Sequence, residues 1–313
     1  MPHVVVAEVV RSGFVEGYHW GSAVVVDPDG AVSWSLGDPT AALFPRSCNK
    51  PIQAAAMVRV GLPLRDRLLA LCCASHSGEP FHLEGVREIL DSTGLDETAL
   101  QTPPDWPVEP RVRTAYLRAG GEPAPIAMNC SGKHAGMLAT CVVNGWDVST
   151  YRDPAHPLQQ QIVHTFEELT GEPVTATGVD GCGAPVLGST LTGLARAFGR
   201  LRSAPAGTAE HAVAEAVSGF PTYVSGTQRD EALLIRAIPG AVAKIGAEAC
   251  YALALPDGTA VALKIADGGD RARPVLMSAI LRRLGHEGPV LEQVGRHTIL
   301  GHGEPVGEVR AVV

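Results

Sequence analysis

The chain has 313 residues, of which 45% are hydrophobic, 19% charged and 5% aromatic, the composition of a globular protein with a sizeable core. A formal net charge of −8 offers no basic face of the kind nucleic acid requires, and no apolar run approaches the ~20 residues of a membrane span. Seven cysteines, an odd number with Cys72 and Cys73 adjacent, fit reduced thiols better than a disulfide framework. Met1 to Val6 lacks the basic region and cleavage site of a secretory signal, so the expected location is cytoplasmic.

Val4 to Val10, Ser22 to Asp27 and Ala31 to Leu36 predict three strands, the last two joined by a tight turn at Pro28-Asp29-Gly30. A loop holding Pro45 then leads into Ser47-Cys48-Asn49-Lys50 and an Ala-rich helical run, which Gly61 is placed to close in the left-handed conformation. Ser47 and Lys50 stand about one helical turn apart and point the same way. A lysine amine there can take the serine proton if burial or a second cation lowers its own proton affinity. The same spacing also fits a capping serine followed by a solvated turn.

From about residue 64 to 235 the pattern predicts helices near 65–73, 81–93, 132–143, 157–170, 188–201, 208–217 and 228–236. Between the first two, Cys73-Ala74-Ser75-His76-Ser77-Gly78-Glu79 leaves an apolar helix for a glycine turn. Ser75 can line a cleft there, or Ser75 or Ser77 can cap the helix that starts near Phe81. His76 either touches a ligand or holds its own turn. Strand character returns at Ala241 to Ile245, Ala249 to Leu255 and Ala260 to Ile265, with a second hairpin signal at Pro256-Asp257-Gly258. Arg271 to Leu284 predicts a helix and Val306 to Val313 a closing strand. Lys244 lies in an apolar strand, before a Gly246 that lets a ligand approach the backbone. It is an edge charge that blocks strand addition or a functional cation, and Lys264 on the next strand has the same character. Strands at both ends with helices between them imply one shared sheet. The expectation is an α+β fold over 1–313, with a sheet lobe about 1–62 and 237–313, a helical lobe about 63–236, and a site in the cleft.

The order Ser-x-x-Lys, Ser-x-Ser, Lys-x-Gly resembles that of the serine β-lactamase and penicillin-binding fold, and it favours Lys244 over Lys264. More narrowly, the stretches Phe44-Pro45-Arg46-Ser47, Cys73 to Glu79, Asn129 to Met137, Gly178-Val179-Asp180-Gly181-Cys182 and Lys264 to Gly268 are together similar to the Rhizobium-type L-asparaginase family. That resemblance implies an antiparallel sheet flanked by helices, a homodimer, and hydrolysis of L-asparagine to aspartate and ammonia. It implies Ser47 as nucleophile, Lys50 as its base, and Ser75 with Lys244 as a second Ser–Lys pair that passes a proton to the leaving ammonia. The backbone N–H groups at Ser47 and near Ala247 would form the oxyanion hole. Arg46, His134 and Asp180 are the implied substrate contacts, Asp180 for the ammonium. Ile245 departs from the family pattern: the usual hydroxyl between Lys244 and Gly246 is missing, so another group must hold the substrate carboxylate.

Cys130, Lys133 and Cys182 match family positions that bind zinc beside the site, where the ion would order the pocket rather than activate water. Spacing alone gives no such set, since no Cys-x-x-Cys pair is present and free cysteines ordinarily pack as small hydrophobes. Cys48, Cys72, Cys73, Cys141 and Cys250 read as packing residues, with Cys48 and Cys250 flanking the site and oxidisable. The competing functional readings are a glutaminase or acylated-peptide hydrolase of the same fold, and a zinc- or amino-acid-binding protein without catalysis. A cysteine redox protein is disfavoured by the missing Cys-x-x-Cys. Neither nucleic acid nor membrane is an expected partner.

Overall fold

The computed structural model describes residues 3–313. Strands β1 (Val4–Arg11), β2 (Phe14–Val26) and β3 (Val32–Leu36) open the chain. Helices α1 (Lys50–Arg59), α2 (Asp66–Cys72), α3 (Pro80–Asp91), α4 (Pro110–Arg118), α5 (Ser131–Asn144) and α6 (Pro157–Thr170) follow. A small hairpin, β4 (Thr177–Val179) and β5 (Pro185–Leu187), precedes α7 (Leu191–Ser203), α8 (Ala209–Gly219), α9 (Pro221–Val224) and α10 (Asp230–Ala237). The chain ends with β6 (Val242–Gly246), β7 (Cys250–Ala254), β8 (Ala260–Ile265), α11 (Ala272–Arg283), α12 (Pro289–Val294), β9 (His297–Gly301) and β10 (Glu304–Ala311). Among the described residues no helix is long and apolar enough to cross a membrane.

Strands from both ends build one antiparallel sheet in the order β6-β7-β8-β2-β1-β10-β9, with β3 against β2. Ala7 pairs with Ala311 and Val26 with Ala260, so the closing strand completes the sheet beside the first one. Both Pro-Asp-Gly signals form the hairpin turns they predict, with Gly30 and Gly258 at φ 84° and 94°. The fold is α+β, an antiparallel sheet flanked by helices, with the helical stretch inserted between β3 and β6.

Helix α1 is the hub. Its run Lys50 to Met57 is buried on every side, against α2, α5, α6 and α8, as befits a helix at the centre of a core rather than on its surface. It ends as the sequence requires. Gly61 is left-handed at φ 97°, its N–H bonds to the Val58 carbonyl, and the Leu62 N–H bonds back to Met57, which satisfies carbonyls that the last turn leaves open. Edge strand β6 packs its outer side on the turn that feeds α1, and this contact sets the site.

The β4–β5 hairpin escapes the sequence pattern, as do parts of two strands of the main sheet. The first half of β2 puts Phe14, Tyr18 and Trp20 outward, 72%, 55% and 45% exposed, so the apolar side chains of this run mark its solvent face instead of its core face. Strand β9 is short and half-polar, and joins β10 through His302 and Gly303, both at positive φ, a turn that matches the twist of paired strands.

Candidate active site

Ser47 sits in a short 3-10 turn, Arg46–Asn49, that runs directly into α1. Arg46, immediately before it, is held at φ 55°, a left-handed conformation that costs a non-glycine residue of the order of 1 kcal/mol and marks a local constraint. The constraint has visible holders. The Arg46 guanidinium donates through Nε and Nη2 to Asp180 Oδ1 at 2.8 and 2.7 Å, and the Asn49 side chain donates to the Leu187 carbonyl at 3.0 Å. On the other side, Gly246 of β6 lies under the turn. A methyl group on its Cα would strike the Pro45 carbonyl oxygen and the Cys48 sulfur, so the glycine admits the protein's own turn, not the ligand that its sequence context suggests. Cys48 Sγ also donates to the Lys244 carbonyl at 3.0 Å.

Lys50 is 1% exposed at the start of α1, and its Nζ donates to the Ala74 carbonyl at 2.5 Å and to Ser75 Oγ at 2.9 Å. Ser75 is presented by an extended run. The Ser75 and Ser77 amides bond to the carbonyls of Val224 and Ser225, while the His76 amide bonds the opposite way to Asn129. Alternation in an extended chain therefore puts Ser75 and Ser77 on one face and His76 on the other. His76 is buried, bonded to Ser131 Oγ at 2.8 Å and stacked on His82. Ser77 does not cap a helix; its hydroxyl donates to Glu79 Oε2 at 2.9 Å, and α3 starts after Glu79 without a side-chain cap. Ser47 Oγ makes no hydrogen bond among the described residues, and neither the Ser47 nor the Ala247 amide N–H donates to a protein acceptor there.

Lys244 is where the geometry departs from the sequence reading. The expected Ser75–Lys244 pair is not formed. Lys244 is fully buried and donates to both oxygens of Glu231, 3.1 and 3.2 Å away, and to the Ile245 carbonyl, while Ser75 is taken by Lys50. Glu231 also accepts the Ile245 N–H at 2.5 Å, so one carboxylate in the first turn of α10 fastens two successive residues of the edge strand. Burial lowers the Lys244 proton affinity, Glu231 works against that, and the nearby Lys50 lowers it further. Lys264 lies elsewhere. It donates to the carbonyls of Glu248 and Ile265 and faces Arg46 across a cavity of about 350 Å³.

The β4–β5 turn presents two of the sequence-marked residues together, Asp180 to Arg46 and Cys182 to α5. Lys133 Nζ stands 3.0 Å from Cys182 Sγ, and the Cys130 thiol lies between Asn129 Oδ1, 3.0 Å away, and the Cys182 sulfur. The Cys130 hydrogen bond together with Lys133 overcomes burial and holds Cys182 as a thiolate. Burial opposes the Lys133 charge, but the paired sulfurs outweigh it and keep the ammonium. His134 is not open to a ligand at Nδ1, which bonds to the Tyr151 hydroxyl at 2.6 Å; burial and the Lys133 charge pull it down to about 4, a neutral ring. Glu231, Arg229 and Tyr151 carry no sequence signal as site residues: an acidic first turn of a helix is ordinary, as is a basic residue ahead of one.

A serine at the head of a buried helix, a lysine one turn on, and a second serine bonded to that lysine form a set suited to acyl transfer. The sequence profile of the L-asparaginase II family matches residues 7–311. The chain belongs to the L-asparaginase II family. As a member, it is an amidohydrolase. No curated protein matches the chain significantly. Among solved structures it is similar to a β-lactamase from Mycobacterium bovis at 16% identity, covering 84% of this chain and 94% of that one, with a TM-score of 0.46. A Bacillus glutaminase is similar at 12% identity, covering 85% and 91%, with a TM-score of 0.37.

Proposed function

We propose that this member of the L-asparaginase II family hydrolyses L-asparagine to L-aspartate and ammonia through a Ser47 acyl-enzyme. Ser47 Oγ attacks the side-chain carboxamide carbon and its proton passes to the amine of Lys50. The C–N bond then breaks, and the proton moves from Lys50 through the Ser75 hydroxyl to the departing nitrogen, which leaves as ammonia. Water repeats the sequence on the ester, with Ser47 as the leaving group that recovers its proton. The observation that carries this reading is the 2.9 Å hydrogen bond from Lys50 Nζ to Ser75 Oγ, one turn from Ser47, which joins the two buried groups of the proposed relay. The two amides at Ser47 and Ala247 that lack protein acceptors support an oxyanion site beside it. Lys244 and its Glu231 partner act behind this pair as fixed charge. The seven cysteines, all free and buried, suit a reducing compartment such as the cytoplasm.

A zinc ion is part of the proposal. Among the described residues no three His, Cys, Asp or Glu side chains converge on one point, yet Cys130, Cys182 and Lys133 bring two sulfurs and a nitrogen together, a donor set that zinc accepts. When bound, zinc would displace the Cys130 and Lys133 protons and fix the β4–β5 turn that carries Asp180.

The test is ammonia release from L-asparagine and, separately, L-glutamine, for wild type and Ser47→Ala. Asparagine turnover that falls by about a million-fold in the variant is the expected result, the scale at which loss of a catalytic serine is felt. Turnover that survives the substitution sinks Ser47. Release from glutamine in preference to asparagine moves the substrate to the longer amide and leaves the serine chemistry in place.

A further inference from the structure

The peptide unit that joins Ser75 to His76 is fixed at both of its polar atoms. The Ser75 carbonyl accepts from Arg229 Nη1 at 2.9 Å, and the His76 N–H donates to the Asn129 carbonyl at 3.0 Å. The His76 ring, fully buried, then reaches Ser131 Oγ at 2.8 Å. Burial first, then the nearby His82, Lys50 and Arg229, keep this imidazole neutral. The Ser131 hydroxyl has one hydrogen, and it goes to the Ile126 carbonyl, 2.8 Å away. Ser131 Oγ therefore only accepts from the ring, which places the His76 proton on Nε2. Nδ1 has no partner among the described residues, so the bond to Ser131 is the polar anchor of the ring. His82 obeys the same logic. Its Nε2 faces the Thr222 carbonyl at 2.9 Å and carries the proton there, and the two rings stack with centroids 5.1 Å apart.

We propose that His76 is the positioning residue of the relay: anchored to Ser131 and stacked on His82, its ring sets the direction in which the Ser75 hydroxyl meets Lys50. The proposal rests on the Ser47–Lys50–Ser75 reading and adds the group that aims its last member. Successive side chains of an extended run point to opposite faces, so a ring fixed on one face fixes the hydroxyl on the other. The anchor itself is immobile. Ser131 opens α5, and a methyl group on the next residue, Gly132, would strike the Leu71 carbonyl, so the head of α5 is pressed against the helix from which the Ser75 run departs. On the other side, His82 ties the stack through Thr222 to the segment whose Val224 and Ser225 carbonyls hold the Ser75 and Ser77 amides. The ring is thus wedged between the two walls of the run. With its one N–H spent on Ser131, it supplies orientation and moves no proton.

The experiment measures kcat and KM for L-asparagine in wild type, His76→Leu, His76→Gln and Ser131→Ala, per folded molecule, with the folded fraction taken from denaturant titrations. His76→Leu keeps bulk without the N–H, and its kcat should fall by about 100-fold at unchanged KM, the scale of a small misplacement at a reacting group. Gln can bring an amide N–H to the place of Nε2, so His76→Gln should recover most of that loss. Ser131→Ala removes the acceptor and leaves the Ser75 run unaltered; it should lower kcat as His76→Leu does, and the double variant no further. A loss that Gln does not recover, or an unchanged kcat in Ser131→Ala, overturns the assignment and leaves His76 a packing residue. If His76→Leu does not fold, Ser131→Ala and His76→Gln decide. Nitrogen NMR of the histidine rings reads the anchor without turnover: wild type should show His76 protonated at Nε2 and bare at Nδ1, and the opposite tautomer would refute the proposal. A wild type inactive on both asparagine and glutamine would instead overturn the reaction, and with it the relay that His76 serves, whatever the tautomer.

Discussion

Glu231 shows what a single side chain decides here. Its carboxylate is buried with Lys244 and fastens both the Lys244 amine and the Ile245 N–H. Removing one partner of such a pair leaves an uncompensated charge in a dry interior, at a cost of about 3–5 kcal/mol, whereas replacing both by apolar side chains is near neutral. Glu231→Gln should therefore lower the unfolding free energy by that order, and Glu231→Met with Lys244→Met should recover most of the loss. Equal stability of Glu231→Gln and wild type in a denaturant titration would mean that Lys244 is already neutral in the folded protein. At this scale the sequence announces Ser47, Lys50 and Ser75 because their chemistry is bound to local spacing. It does not announce that Ser75 joins Lys50 while Lys244 joins Glu231. That choice is made by α10, which brings an ordinary-looking first-turn glutamate to the edge strand, and no local pattern encodes it.

Among the elements, the β4–β5 hairpin stands apart from the main sheet, and its turn delivers Asp180 to Arg46 and Cys182 to Lys133. It is a small lever between the nucleophile's turn and α5. If zinc binds there, protein dialysed against micromolar zinc and then washed should retain about one ion per chain by atomic absorption, and Cys182→Ala should retain none. Wild type that emerges free of metal would remove zinc from the account. Helices such as α6, bounded by His156 and Gly171, are legible because capping and period agree. Helix α4 is not: none of its residues is buried, so the apolar stripe on which a helical reading depends is weak. The outer half of β2 fails for the converse reason, because its aromatics face solvent.

Across the whole molecule, the stacked pair His76 and His82 ties stability to acidity. Burial lowers both, His82 to about 4. Both are neutral in the fold and take protons at about 6.5 once unfolded, so their contribution is complete above 6.5 and is lost as pH falls from there toward 4. Between pH 7.5 and 5 the His82 share is about 2 kcal/mol. Denaturant titrations at the two pH values should show a smaller acid loss for His82→Gln, which can still donate to the Thr222 carbonyl. An unchanged loss would place the acid sensitivity in other groups.

The pairing of β1 with β10 also dictates an order of events in time. Ala7 meets Ala311, and the Val312 N–H bonds to the Val6 carbonyl, so the first strand made waits for nearly the last. On the ribosome, β1 and β2 emerge early with an open hydrogen-bonding edge that only the last-made strand closes. Sheet closure is therefore a late and slow step with a high loop-closure cost, and the nascent chain carries an aggregation-prone edge through most of its synthesis.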